Sequence, residues 1–196
     1  VNRNTNTYWM DEITRTAFMH NYSVGISGGK GDDYKFNLGL SYIDQEGTIK
    51  KSDYQRFSVR QSSEKTIIKD HLIVGTNASI TRSTDSSISE RNSSNVYDSD
   101  YGVVSNAIRL DPVTPAQNPD GSYGYSPYID YYNPLASIMY RDNRRERLAF
   151  IGNMFGEWQI IKGLKFKSTF GAEIRRTDNK TFSPVYQVSS SQRNLE

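Results

Sequence analysis

The clearest hydrophobic pattern in the chain is a strict alternation between Tyr34 and Tyr42. Every second residue of this stretch, counted from its first, is large and apolar: Tyr34, Phe36, Leu38, Leu40 and Tyr42. The residues between them are small or polar. A period of two predicts a β-strand with one apolar and one polar face. At about 3.3 Å per residue it rises roughly 27 Å, enough when tilted to span the apolar band of a membrane barrel. A soluble two-sheet sandwich alternates in the same way, so this stretch leaves both architectures open.

The same alternation recurs and predicts an antiparallel up-and-down meander. The further predicted strands are 20–27, Tyr54–Ser62, Asp70–Arg82, Arg147–Ile160 and 165–175. Glycine-rich and polar stretches at 28–33, 63–69 and 161–164 predict tight turns between them. A weaker pattern near the start of the chain places Trp9, Ile13 and Phe18 on one side of a short helix.

A long interval without alternation separates the fourth predicted strand from the fifth. Within it, Tyr97–Leu110 predicts a short amphipathic helix, capped by Asp98 or Ser99 and ended by Asp111-Pro112. An interval of this length is unusual in a compact domain unless the loop is functional. Outer-membrane barrels have long loops on one side and short turns on the other, so the interval favours a barrel.

These stretches divide the chain into five segments. They are a lead-in at 1–19, four strands at 20–82, a long extracellular loop at 83–146, a strand hairpin at 147–177 and the start of another extracellular loop at 178–196. The tight turns fall on the opposite, periplasmic side. Because the chain starts at Val1 without an initiator methionine or a secretory signal, we expect it to be an excerpt of a longer protein.

Composition removes several function classes from consideration. With 24 basic and 22 acidic residues there is no strong electrostatic field, and a nucleic-acid partner is not expected. The two histidines, His20 and His71, have no nucleophile pattern nearby, so no enzyme activity, cofactor or metal is expected. The chain contains 14 tyrosines and 8 phenylalanines, which suit membrane-interface girdles or glycan contacts as well as an ordinary β-domain.

An ordered set of short motifs covers nearly the whole chain. The motifs are Trp9–Ala17, Asn21–Gly29, Leu40–Ile49, Ser52–Ser58, Val74–Asn77, Asp120–Tyr123, Asn133–Ala136 and Leu164–Gly171. Together they resemble the SusC/RagA family of TonB-dependent outer-membrane transporters. Two departures are Ser41, where the family has glycine, and the stretch 62–69, which lacks the usual tryptophan or leucine pattern.

This resemblance implies an all-β chain, an early segment of a barrel of about 22 strands, with one long extracellular loop containing a short helix. It implies import of glycans or peptides across the outer membrane of a Gram-negative bacterium. The implied partners are a SusD-like surface lipoprotein, outer-membrane lipid, the glycan or peptide substrate, and the TonB complex through regions outside this chain. The plug domain is expected upstream and the rest of the barrel downstream.

Three groups of candidate residues follow. The expected lipid-facing residues are Tyr34, Phe36, Leu38, Leu40, Tyr42, Phe166 and Phe170. The expected lumen-facing residues are Lys35, Asn37, Arg56, Arg60, Glu157, Lys167, Glu173 and Arg175. The candidates for substrate or partner contact in the long loop are Tyr123, Tyr125, Tyr128, Tyr131 and Tyr132, since flat amphipathic rings suit sugar faces and peptides.

Two alternatives stay open at this point. The basic run Arg141, Arg144, Arg145 and Arg147 suits either a solvated surface or contact with lipopolysaccharide phosphates at the outer rim. The whole chain suits either the transporter or a soluble carbohydrate-binding β-sandwich, which must cover the apolar face of Tyr34–Tyr42 with a second sheet.

Overall fold

A computed structural model describes residues 5–69, 71–88, 102–182, 184, 186–187 and 193–194. The elements are α1 (Trp9–Ile13), β1 (Met19–Lys30), β2 (Tyr34–Glu46), β3 (Asp53–Ile68), β4 (Leu72–Ser86), α2 (Val103–Arg109), α3 (Pro134–Tyr140), β5 (Asp142–Ile161), β6 (Leu164–Phe182), β7 (Tyr186–Gln187) and β8 (Arg193–Asn194). Strands β1 to β6 form one antiparallel sheet in chain order, and β7 pairs with β8. The predicted all-β meander is confirmed.

The register of the sheet sorts its side chains onto two faces. Residues paired directly across two strands lie on the same face. Tyr42 pairs with Tyr22 of β1 and Phe57 of β3, so these three rings share a face. We call this the apolar face. It carries Tyr22, Val24, Ile26, Tyr34, Phe36, Leu38, Leu40, Tyr42, Phe57, Val59, Leu72, Val74, Ile80, Leu148, Phe150, Met154, Trp158, Phe166, Phe170 and Ile174. The opposite surface is the polar face.

Aromatic side chains lie at both ends of the apolar face. One belt is the row Tyr22, Tyr42 and Phe57. The other belt, eight positions away along β2, is formed by Tyr34, Phe36, Trp158 and Phe166, in which the first two rings stack at 5.6 Å. At about 3.3 Å per residue the belts are roughly 26 Å apart along the strand. Aliphatic side chains fill the rows between them.

The two ends of the sheet differ. Short turns near 31–33, 69–71 and 162–163 form the turn end, where Gly31 and Gly163 adopt the left-handed conformation that glycine tolerates. The other end, which we call the loop end, carries 47–52 and the long connection between β4 and β5. Among the described residues, no helix is both long enough and apolar enough to cross a membrane.

Several strands extend beyond their predicted bounds. The turn predicted at 63–69 is wrong, because β3 continues to Ile68 and Ser63 hydrogen-bonds Thr76 of β4 at 3.0 Å. At the loop end, β5 already begins at Asp142 and β6 continues to Phe182. Beyond the apolar rows both faces of these strands are polar, so the sequence loses its alternation while the backbone ladder continues.

The helices and connections at the loop end form a separate packed unit, the loop assembly (5–15, 47–52 and 102–141). Its core contains Trp9, Ile13, Val103, Ala107, Leu110 and Ile138. As predicted, Trp9 and Ile13 lie together on the buried side of α1, whereas Phe18 is exposed. The described part of the long loop contains α2, which lies within the predicted Tyr97–Leu110, and a further helix, α3, which was not predicted. The predicted cap residues Asp98 and Ser99 lie outside the described residues.

The missed helix, α3, has a clear local cause. Asn133 caps it, since its Oδ1 accepts hydrogen bonds from the amides of Leu135 and Ala136 at 3.0 and 3.1 Å. Pro134 occupies the first turn, where a missing N–H costs nothing. The Asn133 Nδ2 also donates to the carbonyls of Ala116 and Gly124, so one buried side chain joins the helix to the loop before it.

Candidate functional site

The eight predicted lumen residues share the polar face. The register pairs Asn37 with Ser62, and Arg60 with Ser79, placing these residues on the face opposite to Leu38 and Val59. Glu157, Lys167, Glu173 and Arg175 occupy the same face on β5 and β6. Lys35 and Arg56 lie near the turn end and the loop end of this face respectively. The structure therefore arranges them as one surface along four strands.

A hydrogen-bonded strip crosses the middle of the polar face. Ser62 Oγ donates to Asn77 Oδ1 at 2.7 Å, and Asn77 Nδ2 donates to Asn153 Oδ1 at 3.1 Å. These residues line a cavity of about 380 Å³ with the predicted Asn37 and Arg60. The sequence analysis missed the strip, although all three members lie at polar-face positions. Amides and hydroxyls in this arrangement can donate and accept hydrogen bonds with a neutral polar ligand.

Charged pairs occupy the turn end of the polar face. Lys165 Nζ lies 2.8 Å from Glu157 Oε1, and Lys167 Nζ lies 3.9 Å from Glu157 Oε2. The Lys167 ammonium also sits 4.4 Å from the centroid of the Phe155 ring. Lys35 pairs with Asp32 at 3.5 Å. Both signs of charge are present, so this end of the face is not selective for one sign.

Two of the five candidate tyrosines line a cavity in the loop assembly. Tyr125 and Tyr128 are 47% and 64% exposed and border a cavity of about 450 Å³. Pro115, Pro119 and Pro127 line the same cavity. Rigid rings and prolines lose little conformational freedom when a ligand binds. These prolines were not singled out from the sequence, although Pro127 lies between the two tyrosines.

The other three tyrosines pack inside the loop assembly. Tyr132 is buried with Ala136, and Tyr123 meets Tyr140 edge-on at 5.1 Å. Burial and the neighbouring Tyr140 raise the pKa of Tyr123 above its ordinary value. The Arg109 guanidinium lies 5.8 Å from the centroid of the Tyr131 ring. The structure therefore brings together only Tyr125 and Tyr128 as an accessible pair.

A tight turn borders the tyrosine cavity. Asp120 Oδ1 accepts hydrogen bonds from the Ser122 amide at 3.0 Å and from the Ser122 hydroxyl at 2.7 Å. These two bonds lower the pKa of Asp120 below its ordinary value of 3.8. Asn118, which begins the turn, lines the cavity. The turn therefore keeps a fixed carboxylate beside the cavity.

The described residues show no arrangement typical of a metal centre. No group of three His, Asp or Glu side chains within them is placed to hold a metal ion. His20 stacks on Tyr22 at the loop end, whereas His71 lies at the turn end with Nδ1 at 3.0 Å from the Lys69 carbonyl. The two histidines are thus on opposite ends of the sheet.

Known proteins resemble this chain over almost its whole length. TonB-dependent receptor P3 of Formosa agariphila is 30% identical over 182 residues, which cover 92% of this chain and 18% of the receptor. TonB-dependent receptor SusC of Bacteroides thetaiotaomicron is 24% identical over 212 residues, covering 95% of this chain and 20% of SusC. The chain thus spans about a fifth of the length of these relatives. No family model matches it.

Solved structures share the fold. The RagAB peptide importer in its closed-closed state matches with a TM-score of 0.71 at 21% sequence identity, covering 96% of this chain and 21% of the matched chain. Its open-open state matches with the same TM-score and covers 97% of this chain. At this identity the likeness establishes the fold alone. With the relatives above, it confirms the resemblance to the SusC/RagA-like TonB-dependent receptors that the sequence motifs indicate.

Proposed function

We propose that this chain, which resembles a barrel segment of the SusC/RagA-like TonB-dependent receptors, forms part of a transporter wall in the outer membrane of a Gram-negative bacterium. In this proposal the apolar face meets lipid, the polar face lines the lumen, and the loop assembly stands on the extracellular side. The complete protein imports glycans or peptides, with a SusD-like lipoprotein over the loop end and energy supplied through TonB.

One observation carries this proposal, namely that the apolar face has no cover within the described chain. Phe166, Phe170 and Ile174 are 57%, 70% and 65% exposed, and Val24 and Ile26 are similarly exposed on β1. An apolar surface of this extent is unfavourable in water and indicates a membrane or a partner. Its two aromatic belts, roughly 26 Å apart along a tilted strand, match the spacing of the girdles around an apolar band of about 25 Å.

The soluble sandwich has less support. A sandwich requires a second sheet packed over the apolar face. Within the described part of the chain, the other sheet is the two-stranded pair of β7 and β8, which is far too short to cover six strands. The exposed apolar rows therefore favour the membrane over the sandwich.

For the substrate we propose two contact surfaces. The strip Ser62, Asn77 and Asn153 offers hydrogen bonds inside the lumen, and Tyr125 with Tyr128 offers flat rings at the extracellular entrance. Both suit neutral polar ligands such as glycans or peptide backbones, which present hydroxyls or amides beside apolar faces. A solved structure similar to this chain is described as a peptide importer, which supports the peptide class of substrate.

The experiment uses the full-length protein expressed in a Gram-negative host. We expect it to fractionate with the outer membrane and to migrate faster on a denaturing gel without heating than after heating, because an unheated barrel stays folded in detergent. A protein found in the soluble fraction, with mobility independent of heating, would contradict the transporter wall.

The same preparation tests the loop cavity. Purified protein would be titrated by calorimetry with a panel of neutral oligosaccharides and a panel of oligopeptides. The double variant Tyr125→Ala with Tyr128→Ala should weaken binding about tenfold, equivalent to ~1.4 kcal/mol. Tyr8→Ala, which removes a 69% exposed ring outside the cavity, is the matched control and should retain affinity. Equal affinities for both variants would exclude the cavity as a contact surface.

A further inference from the structure

A cluster of charged side chains lies on the apolar face at the loop end of β4, β5 and β6. The register places Arg82 and Arg176 in one row across Leu148, and Arg144 with Lys180 four residues further toward the loop end. Glu146 and Asp178 occupy the row between them. We call these six residues the rim patch. Because side chains alternate along β5, the basic run at 144–147 is divided between the two faces of the sheet. Arg145 and Arg147 lie on the polar face near Asp85.

Glu146 holds the rim patch together. Its carboxylate lies 3.2 Å from Arg144 Nε, 3.5 Å from Arg82 Nη2 and 3.6 Å from Lys180 Nζ. Asp178 Oδ2 lies 2.9 Å from Arg176 Nε. Four cations thus share two carboxylates, an excess of two positive charges that Asp142, in the next row on the same face, reduces to one. Glu146 is mostly buried beneath the cations, whereas all four cationic side chains are more than half exposed.

The exposed cations retain donors for another anion. A guanidinium has five N–H groups in a fixed fork, and a phosphate accepts bidentate hydrogen bonds from it. In Arg144 and Arg176 the guanidinium nitrogen nearest to the carboxylate is Nε. The patch therefore combines an ordered scaffold with unused donors and excess positive charge.

The position of the patch identifies the anion's environment. Arg82 and Arg176 share the level of the aromatic belt formed by Tyr22, Tyr42 and Phe57, and the rows beneath them contain Ile80, Phe150 and Ile174. In a membrane protein, the side chains at the aromatic belt meet lipid headgroups. On β2 and β3 the same rim carries Asp44, Glu46 and Asp53, which line a cavity with Arg144, so the patch borders carboxylates on that side.

We propose that the rim patch binds the phosphate groups of phosphorylated glycolipids in the outer leaflet of the membrane. The inference rests on the proposed function, which places the apolar face in lipid. A lipid occupant explains why cations stand on the apolar side of the sheet, directly beyond the aliphatic rows. Each acyl chain of such a lipid lies along Ile80, Phe150 and Ile174 while its headgroup phosphate meets the guanidinium groups.

The test uses full-length protein in phosphatidylcholine nanodiscs, after heat-dependent gel mobility has shown that the barrel is folded. Bisphosphorylated lipid A and phosphate-free lipid A are titrated separately. The double variant Arg144→Gln with Lys180→Gln should bind bisphosphorylated lipid A roughly 30-fold more weakly, since each cation near an anionic surface contributes about fivefold. The matched control, Arg145→Gln with Arg175→Gln, removes the same charge from the polar face of β5 and β6.

Each double variant leaves one carboxylate with an ion-pair partner. Glu146 retains Arg82 in the first variant, and Asp85 retains Arg147 in the second. We expect the control to bind like the unaltered protein and phosphate-free lipid A to bind all three proteins equally. Equal losses in both double variants, or equal binding of the two lipids, would overturn the proposal. Displacement of the lipid by inorganic phosphate at low millimolar concentration would also overturn it, since the site would then belong to soluble phosphate. If the barrel is folded, any of these results would contradict lipid binding by the rim patch without contradicting the proposed transporter wall.

Discussion

The loop assembly and the six-stranded sheet are stabilised in different ways. The buried hydrophobic residues of the described chain all lie in the loop assembly. They are Trp9, Ile13, Val103, Ala107, Leu110, Tyr132, Leu135, Ala136 and Ile138. In the sheet, by contrast, large apolar side chains such as Phe170 and Met154 are more than half exposed. The sheet is held by its backbone ladders, and no second layer of the described chain covers its apolar face.

This difference indicates that one chain obeys two sets of folding rules. The loop assembly buries apolar surface away from water, as a small soluble domain does. The sheet presents its apolar side chains outward and satisfies its backbone groups between strands, as membrane barrels must. Ion pairs link the two regions, since Arg15 Nη1 lies 3.9 Å from Glu46 Oε1 of β2 and Arg15 Nη2 lies 2.5 Å from Asp53 Oδ1 of β3. Separate perturbations of core and face can test this division.

The largest expected effect is in the core of the loop assembly. Trp9 is 4% exposed and its indole Nε1 donates to the Asp111 carbonyl at 2.8 Å. We expect Trp9→Ala to destabilise the loop assembly by about 3–5 kcal/mol, because it removes a buried ring and leaves a cavity. Hydrogen exchange of the full-length protein should show faster exchange at Val103–Arg109 and Pro134–Tyr140, with the amides of β2 and β3 unchanged.

The neighbouring Tyr8→Ala is the control for Trp9→Ala. It removes an aromatic ring that is 69% exposed, so exchange in α2 and α3 should stay at the level of the unaltered protein. Faster exchange throughout the sheet in Trp9→Ala would contradict the separation of the two regions, since it would show that the core of the loop assembly also supports the strands.

The next-largest expected effect is a difference in stability between arginine substitutions on the two faces of the sheet. Ile26 lies in the row midway between the aromatic belts, paired with Leu38, and it is 56% exposed. In water, Ile26→Arg at such a position would be nearly neutral. In a bilayer we expect it to destabilise the full-length barrel by about 2–4 kcal/mol, because the guanidinium then lies near the midplane. Denaturant unfolding in lipid vesicles measures this difference.

Ser27→Arg provides the matched control on the next residue. Ser27 pairs with Asn37 on the polar face, so the same substitution places its charge toward the lumen. We expect a loss of stability well below that of Ile26→Arg. Equal losses at the two positions would mean that the faces do not differ in environment, and the contrast between sheet and loop assembly would lose its explanation.

The sequence predicted the middle of each strand much better than its ends. Alternation is visible where one face is apolar, as from Tyr34 to Tyr42, and this is sufficient to assign both faces of the sheet. At the loop end Arg144, Glu146 and Lys180 lie on the same face as Phe150, but no apolar residue marks the period between Ile174 and Phe182 of β6 or before Leu148 of β5. The predicted strands therefore stopped short, although the backbone ladder is determined by neighbouring strands and continues to Phe182.

The candidate site was predicted in part. In a strand, a period of two determines on which face of the sheet each side chain lies. The lumen candidates could therefore be assigned to a common face from the sequence. Which of the five tyrosines remain accessible depends on packing in the loop assembly, where Tyr132 is buried and Tyr128 is exposed. Both lie in one tyrosine-rich stretch without a regular hydrophobic period, so the local pattern could not separate them. The Asn133-Pro134 start of α3 was readable in principle, as a cap followed by proline.

The smallest expected effect is local to the loop assembly and depends on pH. Two hydrogen bonds from Ser122 lower the pKa of Asp120 below 3.8. A carboxyl group whose pKa is lower in the folded state stabilises the fold above its unfolded pKa, and this contribution is lost as the pH falls through the folded value. The Ser122 amide resonance should therefore titrate with a midpoint below 3.8 in the labelled full-length protein, while the amides of β2 do not follow it. Asp120→Asn should abolish this titration, because the amide side chain cannot ionise. A midpoint at or above 3.8 would show that Ser122 does not stabilise the charged carboxylate, and that this turn contributes nothing to the difference between the loop assembly and the sheet.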